Sequence, residues 1–161
     1  MKCIGQVDLD VEHILHTVNT LPGELRPGKE SATASQAQLA TYTEKRTYPG
    51  AQWRFYYASD FGYDAQPWQI PGVDAYRWWI VVLEPGCVFP THVDTFENSS
   101  ERRLWAPVTA PQPGHVFQEC DRVYTDCESG TLWEFDTAEN SHGAANFGHS
   151  QRVTLQIVVH K

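Results

Sequence analysis

The stretch Trp78-Trp79-Ile80-Val81-Val82-Leu83-Glu84-Pro85-Gly86-Cys87-Val88-Phe89-Pro90-Thr91-His92-Val93-Asp94 decides how the rest of the chain is read. It opens with an apolar run rich in residues that favour strands. Pro85-Gly86 then marks a turn. The second half carries an imidazole and a carboxylate two residues apart. Side chains alternate faces in an extended chain, so His92 and Asp94 point one way and Val93 the other. One strand would then offer two of the three ligands of a 2-His-1-carboxylate metal site, the open arrangement used for non-heme Fe(II).

Working outward, short β-like runs recur with turn signals between them. They cover residues 75–83, 87–94, 102–108, 115–119, 122–127, 131–136, 142–147 and 152–160. Eight strands at this spacing predict a mainly β fold, a jelly roll or double-stranded β-helix barrel. Ahead of them, residues 3–8 read as a strand. Val11, Ile14, Leu15, Val18 and Leu21 then fall at helical spacing, with Asp8 or Asp10 as the cap and Pro22-Gly23 as the stop. Residues 22–50 read as a long polar loop, with a strand around 38–43 and a lid over 24–48. Residues 52–57 are again rich in β-formers, and 60–71 are rich in turn residues. We expect one domain over 1–161, with N-terminal support from 1–74 and a jelly-roll core from 75–161.

The bulk properties exclude several functions. A net charge of -8 with scattered Lys and Arg argues against nucleic-acid binding. The run 78–83 is far short of the ~20 residues that cross a bilayer, and the N-terminus lacks a signal-peptide pattern. These features predict a soluble cytoplasmic protein without a membrane partner. Cys3, Cys87, Cys120 and Cys127 form no CxxC pair, so a zinc ribbon or thioredoxin-like motif is excluded. Free, buried thiols are expected.

Three further features bear on the His92/Asp94 pair. In an eight-stranded jelly roll the second and seventh strands are neighbours, so His142, at the start of the seventh, closes a triad. His115 and His149 are its rivals. On the last strand Val153, Leu155, Ile157 and Val159 share one face, whereas Arg152, Thr154 and Gln156 share the other. The first set belongs in a hydrophobic layer. The second faces solvent or a polar cavity, where the planar fork of Arg152 suits a carboxylate. On the third strand Arg103, Trp105 and Pro107 share a face, and Arg103 suits a second carboxylate. Arg54, Arg77 and Arg103 all remain open as partners for a substrate carboxylate, and Phe89, Trp105 and Trp133 are candidates for an apolar shell.

Together these residues resemble the aspartyl/asparaginyl β-hydroxylase and proline hydroxylase family of Fe(II)- and 2-oxoglutarate-dependent oxygenases. The matching pattern is Pro85-Gly86, Pro90-x-His92-x-Asp94, Arg103, Gly130-x-Leu132-Trp133-x-Phe135-Asp136, His142 and Arg152-x-x-Leu155-x-Ile157-Val158-Val159. It looks closest to the bacterial free-L-proline cis-hydroxylases. The animal aspartyl hydroxylases have a glycine where this chain has Asp94. The resemblance implies that His92, Asp94 and His142 hold Fe(II) and that Arg152 pairs with the far carboxylate of 2-oxoglutarate. Thr154 shares that cosubstrate face. Arg103 and Trp105 border the cosubstrate or substrate, although Trp105 departs from the polar residue found there in relatives. The implied activity is hydroxylation of a free proline-like amino acid or a peptide side chain by O2, with release of succinate and CO2. Two other readings stand beside it. Gly86, His92-x-Asp94, Glu97 and His142-x-x-x-Asn146 also approximate the two cupin motifs, and a jelly roll also serves as a non-catalytic binding module.

Overall fold

The computed structural model of the chain describes residues 1–27, 52–93, 101–135 and 140–159. Among them are eleven strands and two helices. In chain order they are β1 (Lys2–Gln6), α1 (Val11–Thr20), β2 (Glu24–Pro27), β3 (Gln52–Tyr56), α2 (Ala58–Phe61), β4 (Tyr76–Leu83), β5 (Val88–His92), β6 (Arg102–Pro107), β7 (His115–Glu119), β8 (Arg122–Tyr124), β9 (Thr131–Phe135), β10 (His142–Asn146) and β11 (Arg152–Val159). From β4 onward the chain deals its strands between two antiparallel sheets. The larger holds the order β9-β6-β11-β4 and the smaller β5-β10-β7-β8. This is the connectivity of a double-stranded β-helix, as the eight-strand reading predicts. The N-terminal strands β1, β2 and β3 widen the larger sheet. β1 pairs with β9 at one edge, while β3 and β2 follow β4 at the other.

The larger sheet is held by the alternation read on the last strand. Val153, Leu155 and Ile157 of β11 pack with Ile80, Val82, Leu104 and Ala106, under Ile14 and Val18 of α1. Each of the Val, Leu and Ile side chains contributes roughly 1.5–3 kcal/mol by burial. A one-residue slip of β11 would exchange them for Arg152, Thr154 and Gln156, so the register is strongly specified. Asp10, rather than Asp8, caps α1: its Oδ1 accepts from His13 N at 3.0 Å.

Three expectations need correction. The segment beginning at residue 22 is not wholly loop, because Glu24–Pro27 pairs with β3; the remainder of the expected lid and the strand around 38–43 lie outside the described residues. The strand expected over 122–127 ends at Tyr124, and Cys127 turns in against Trp105, Phe117 and Phe135. All four cysteines are free, as expected, but only Cys127 is buried; Cys3 and Cys120 are exposed. No helix among the described residues is long and apolar enough to cross a membrane.

Candidate active site

Between the two sheets lies a cavity of about 210 Å³. Its floor comes from β11 and β4. Thr154 stands opposite Val81, Gln156 opposite Trp79, and Arg152 opposite Leu83. Its other side comes from β5 and β10, where His92 and His142 are directly paired across the strands. The polar face of β11 therefore lines a cavity rather than solvent, and the sequence pattern alone left that choice open. His92, His142, Arg152, Arg103 and Thr154 all border this one space.

The two histidines meet because of an irregularity in β5. His142 pairs with His92, yet Ala144, two residues on, pairs with Phe89, three residues back. The extra residue on β5 is a bulge, and it turns both Phe89 and His92 toward the cavity, which plain alternation forbids at that spacing. Gly143 makes the bulge possible. A Cβ there would lie 3.0 Å from Thr91 N and from Phe89 O. The imidazole rings end 4.3 Å apart between centroids, at 53°. They are 5% and 6% exposed. Nδ1 of His142 lies 3.2 Å from the carbonyl of Asn140. A carbonyl only accepts, so Nδ1 carries a proton, and in the neutral ring the lone pair is then on Nε2, the tautomer a metal ligand needs. The floor of the strand is pinned at the far end of β10. Asn146 Nδ2 donates to the carbonyls of Leu83 and Ser150, each at 2.8 Å, and its Oδ1 accepts from Gly148 N at 3.0 Å.

Arg152 is the electrostatic centre of the cavity. It is 5% exposed, and it makes no ion pair with any described residue. Its guanidinium lies 5.8 Å from the ring centroid of Trp105. Burial pulls its pKa down from the ordinary arginine value to about 10, and the nearby Cys127 sulfur opposes that shift. A buried cation without a carboxylate is costly unless a ligand supplies the missing anion. No Asp or Glu lines the cavity among the described residues.

The remaining residues singled out in the sequence separate cleanly. Arg103 lines the cavity, its guanidinium 5.2 Å from the ring centroid of Trp79. Arg54 faces away and binds Glu84, Tyr56 Oη at 2.6 Å and the Val18 carbonyl at 3.3 Å. Arg77 is exposed beside Glu101. Trp105 underlies Arg152 and does not border the histidine cavity, and Trp133 packs on Tyr124. Phe89 does line it. His115 is committed elsewhere, with Nδ1 accepting from Gln112 N at 3.2 Å and Nε2 3.0 Å from the Ser150 carbonyl. His149 is exposed. Asp94, the expected carboxylate ligand, lies outside the described residues, as does Asp136. Trp53, Phe55 and Trp79 form the apolar wall that sequence reasoning did not assign. Their only signal was alternation within residues 52–57 and 78–83.

Among the described residues no three His, Cys, Asp or Glu side chains gather as a metal site. The donor set nonetheless fits a metal: two facing imidazoles, His142 on β10 with Nδ1 turned to a carbonyl and His92 on β5, two residues before Asp94 in the sequence. The cation of Arg152 fits the carboxylate of a cosubstrate.

No protein-family model matches the chain, and no curated protein matches it. Solved structures do. A sugar phosphate isomerase of the cupin superfamily from Silicibacter pomeroyi is 14% identical, with 87% of this chain and 73% of that chain covered at a TM-score of 0.49. A Thermotoga maritima protein described as a predicted oxalate decarboxylase is 13% identical, with 68% and 82% covered at 0.45. The cupin domain of Schizosaccharomyces pombe Cnp3 is 6% identical, with 68% and 61% covered at 0.45. The chain spans less than two thirds of three of its matched structures, 62%, 61% and 66%. The fold assignment rests on strand order and register, and these likenesses add no chemistry to it.

Proposed function

We propose that the chain is an Fe(II)- and 2-oxoglutarate-dependent dioxygenase that hydroxylates a small organic substrate. The observation that supports this reading is Arg152, buried without an acidic partner among the described residues, in the same cavity as the facing His92 and His142. A cation beside a metal site repels the metal unless an anion sits between them. A cosubstrate with a carboxylate at its far end resolves that conflict, whereas a metal alone does not. In this reading His92, His142 and Asp94 would hold Fe(II), and Arg152 with Thr154 would take the far carboxylate. When bound, Fe(II) with 2-oxoglutarate and O2 supplies the oxidising chemistry, and succinate and CO2 are its by-products. The chain's own contribution is positional. The β5 bulge aims His92, the Asn140 carbonyl orients His142, and the rings of Trp53, Phe55 and Phe89 exclude water.

The test is succinate release with Fe(II), ascorbate and 2-oxoglutarate across amino acids and small acids, alongside metal content. Turnover should disappear in His92→Ala, His142→Ala and Asp94→Ala, with metal content reduced. Metal binding that is indifferent to 2-oxoglutarate would leave a cupin-type metal protein in its place. Protein that takes up no transition metal would point to a non-catalytic binding module.

A further inference from the structure

His142 stands where the ladder of the smaller sheet ends. It pairs with His92 on one side and with Glu119, the last residue of β7, on the other. Residues directly opposite one another share a face of a sheet. β7 buries His115, Phe117 and Glu119 in alternation, and Phe117 of this set lines the cavity. Glu119 therefore lies on the inner face, beside His142. It does not join the two histidines as a third donor.

Asn140 and Ser141 lie beyond the ladder, yet the Asn140 carbonyl is what faces Nδ1 of His142, at 3.2 Å. Two bonds from the end of β7 fix this segment. The N–H of Cys120 donates to the Ser141 carbonyl at 2.7 Å. Nδ2 of Asn140 donates to Oε1 of Glu119 at 3.4 Å. Asn140 thus spans two groups, with its side chain on the carboxylate and its carbonyl on the imidazole. Glu119 is itself a fixed point. It is 4% exposed, and Oε2 binds the Met1 ammonium, which also lies 3.3 Å from Tyr124 Oη. A buried carboxylate needs such partners to offset its lost hydration. An apolar residue would fill the place at lower cost, but it could not accept from Asn140. The packing around His142 leaves one choice open. Phe135 and His92 bound the ring at 5.2 and 4.3 Å between centroids. Ring contacts limit tilt, but an imidazole and its flipped form have nearly the same shape, so a hydrogen bond must choose between them.

Resting on the metal-binding part of the dioxygenase reading, we propose that Glu119 is a positioning residue for His142. It acts through Asn140 to hold Nδ1 protonated and Nε2 toward the metal. Two readouts test this: the ring-nitrogen NMR shifts of His142 in metal-free protein, and Co(II) affinity by absorption titration. Asn140→Ala leaves the Glu119 ion pair in place, and Asn140 is only half-buried, so the metal-free Tm should move by less than ~4 °C. His142 should nevertheless admit the Nε2–H tautomer, and Co(II) should bind ~10-fold more weakly, as loss of an outer partner of a ligand costs. Glu119→Gln still offers the Asn140 amide a partner and should keep more affinity than Glu119→Ala. Adding Asn140→Ala to Glu119→Ala should cost no further affinity. Wild-type tautomer and Co(II) affinity in Asn140→Ala overturn the proposal, as do losses that simply add in the double variant. Wild type that takes up no Co(II) removes the metal reading instead, and the tautomer of the metal-free protein still decides the positioning role.

Discussion

Arg152→Met separates stability from function at a single position. Burial lowers the Arg152 pKa from its ordinary value to about 10, which corresponds to about 3 kcal/mol against the charged form at ~1.4 kcal/mol per pH unit. Methionine keeps the apolar stem and removes the charge. It also forfeits the guanidinium contact with Trp105, worth ~0.5–2 kcal/mol. The net expectation is a ligand-free protein stabilised by about 1–2 kcal/mol, a Tm gain of roughly 2–8 °C for a chain of this length. Function moves the other way. In the wild type, 2-oxoglutarate at a hundred times its Kd should add ~2.7 kcal/mol of stability, and in the variant that increment should vanish. Differential scanning calorimetry with and without 2-oxoglutarate reads both effects. A variant that melts several degrees lower and still gains Tm with 2-oxoglutarate would falsify the reasoning, because Arg152 would then be a packing residue.

Other perturbations test the scaffold. Gly143→Ala places a methyl 3.0 Å from Thr91 N and Phe89 O, so it should cost about 1–3 kcal/mol by overpacking and weaken metal uptake by moving His92; unchanged metal affinity would detach the bulge from the site. Asn146→Ala removes three hydrogen bonds and should destabilise by roughly 2–4 kcal/mol, measured by urea unfolding. His115 is neutral when folded because burial lowers its pKa below 6.5. The unfolded chain then binds the extra proton, so this contribution to stability is complete above pH 6.5 and is lost as pH falls from there toward the folded value. His115→Gln should flatten the slope of stability between pH 7.5 and 5, and an unaltered slope would place the titration elsewhere.

The strand pattern was legible because each run is bounded by residues that break it: Pro85-Gly86 after β4, Gly114 before β7 and Gly130 before β9. The two-faced character of β11 was equally plain in its alternation, and the pairing of β10 with β5 followed from the fold. What alternation cannot give is the occupant of the far side. Only the opposing sheet turns the Arg152 face into a cavity wall. Nor does it reveal the bulge in β5, which depends on backbone contact with Gly143. That His115 is turned away from the cavity was equally hidden, since Ser150, distant in sequence, and Gln112, three residues before it, occupy both of its ring nitrogens. Trp53 and Trp79 escaped assignment for the same reason: their role depends on how β3 docks beside β4.

The two halves of the site are mounted on unlike supports. The larger sheet is covered on both faces, by α1 and its apolar cluster on one side and by the smaller sheet on the other. The smaller sheet, which carries the histidines, has four strands, and β8 at its edge is largely exposed. Amide hydrogens of β11 should accordingly exchange near the rate of global unfolding, and those of β7 and β8 much faster. The arginines would then form the fixed frame of the site. Closure would consist of the histidine-bearing sheet settling onto that frame as ligands fill the space between.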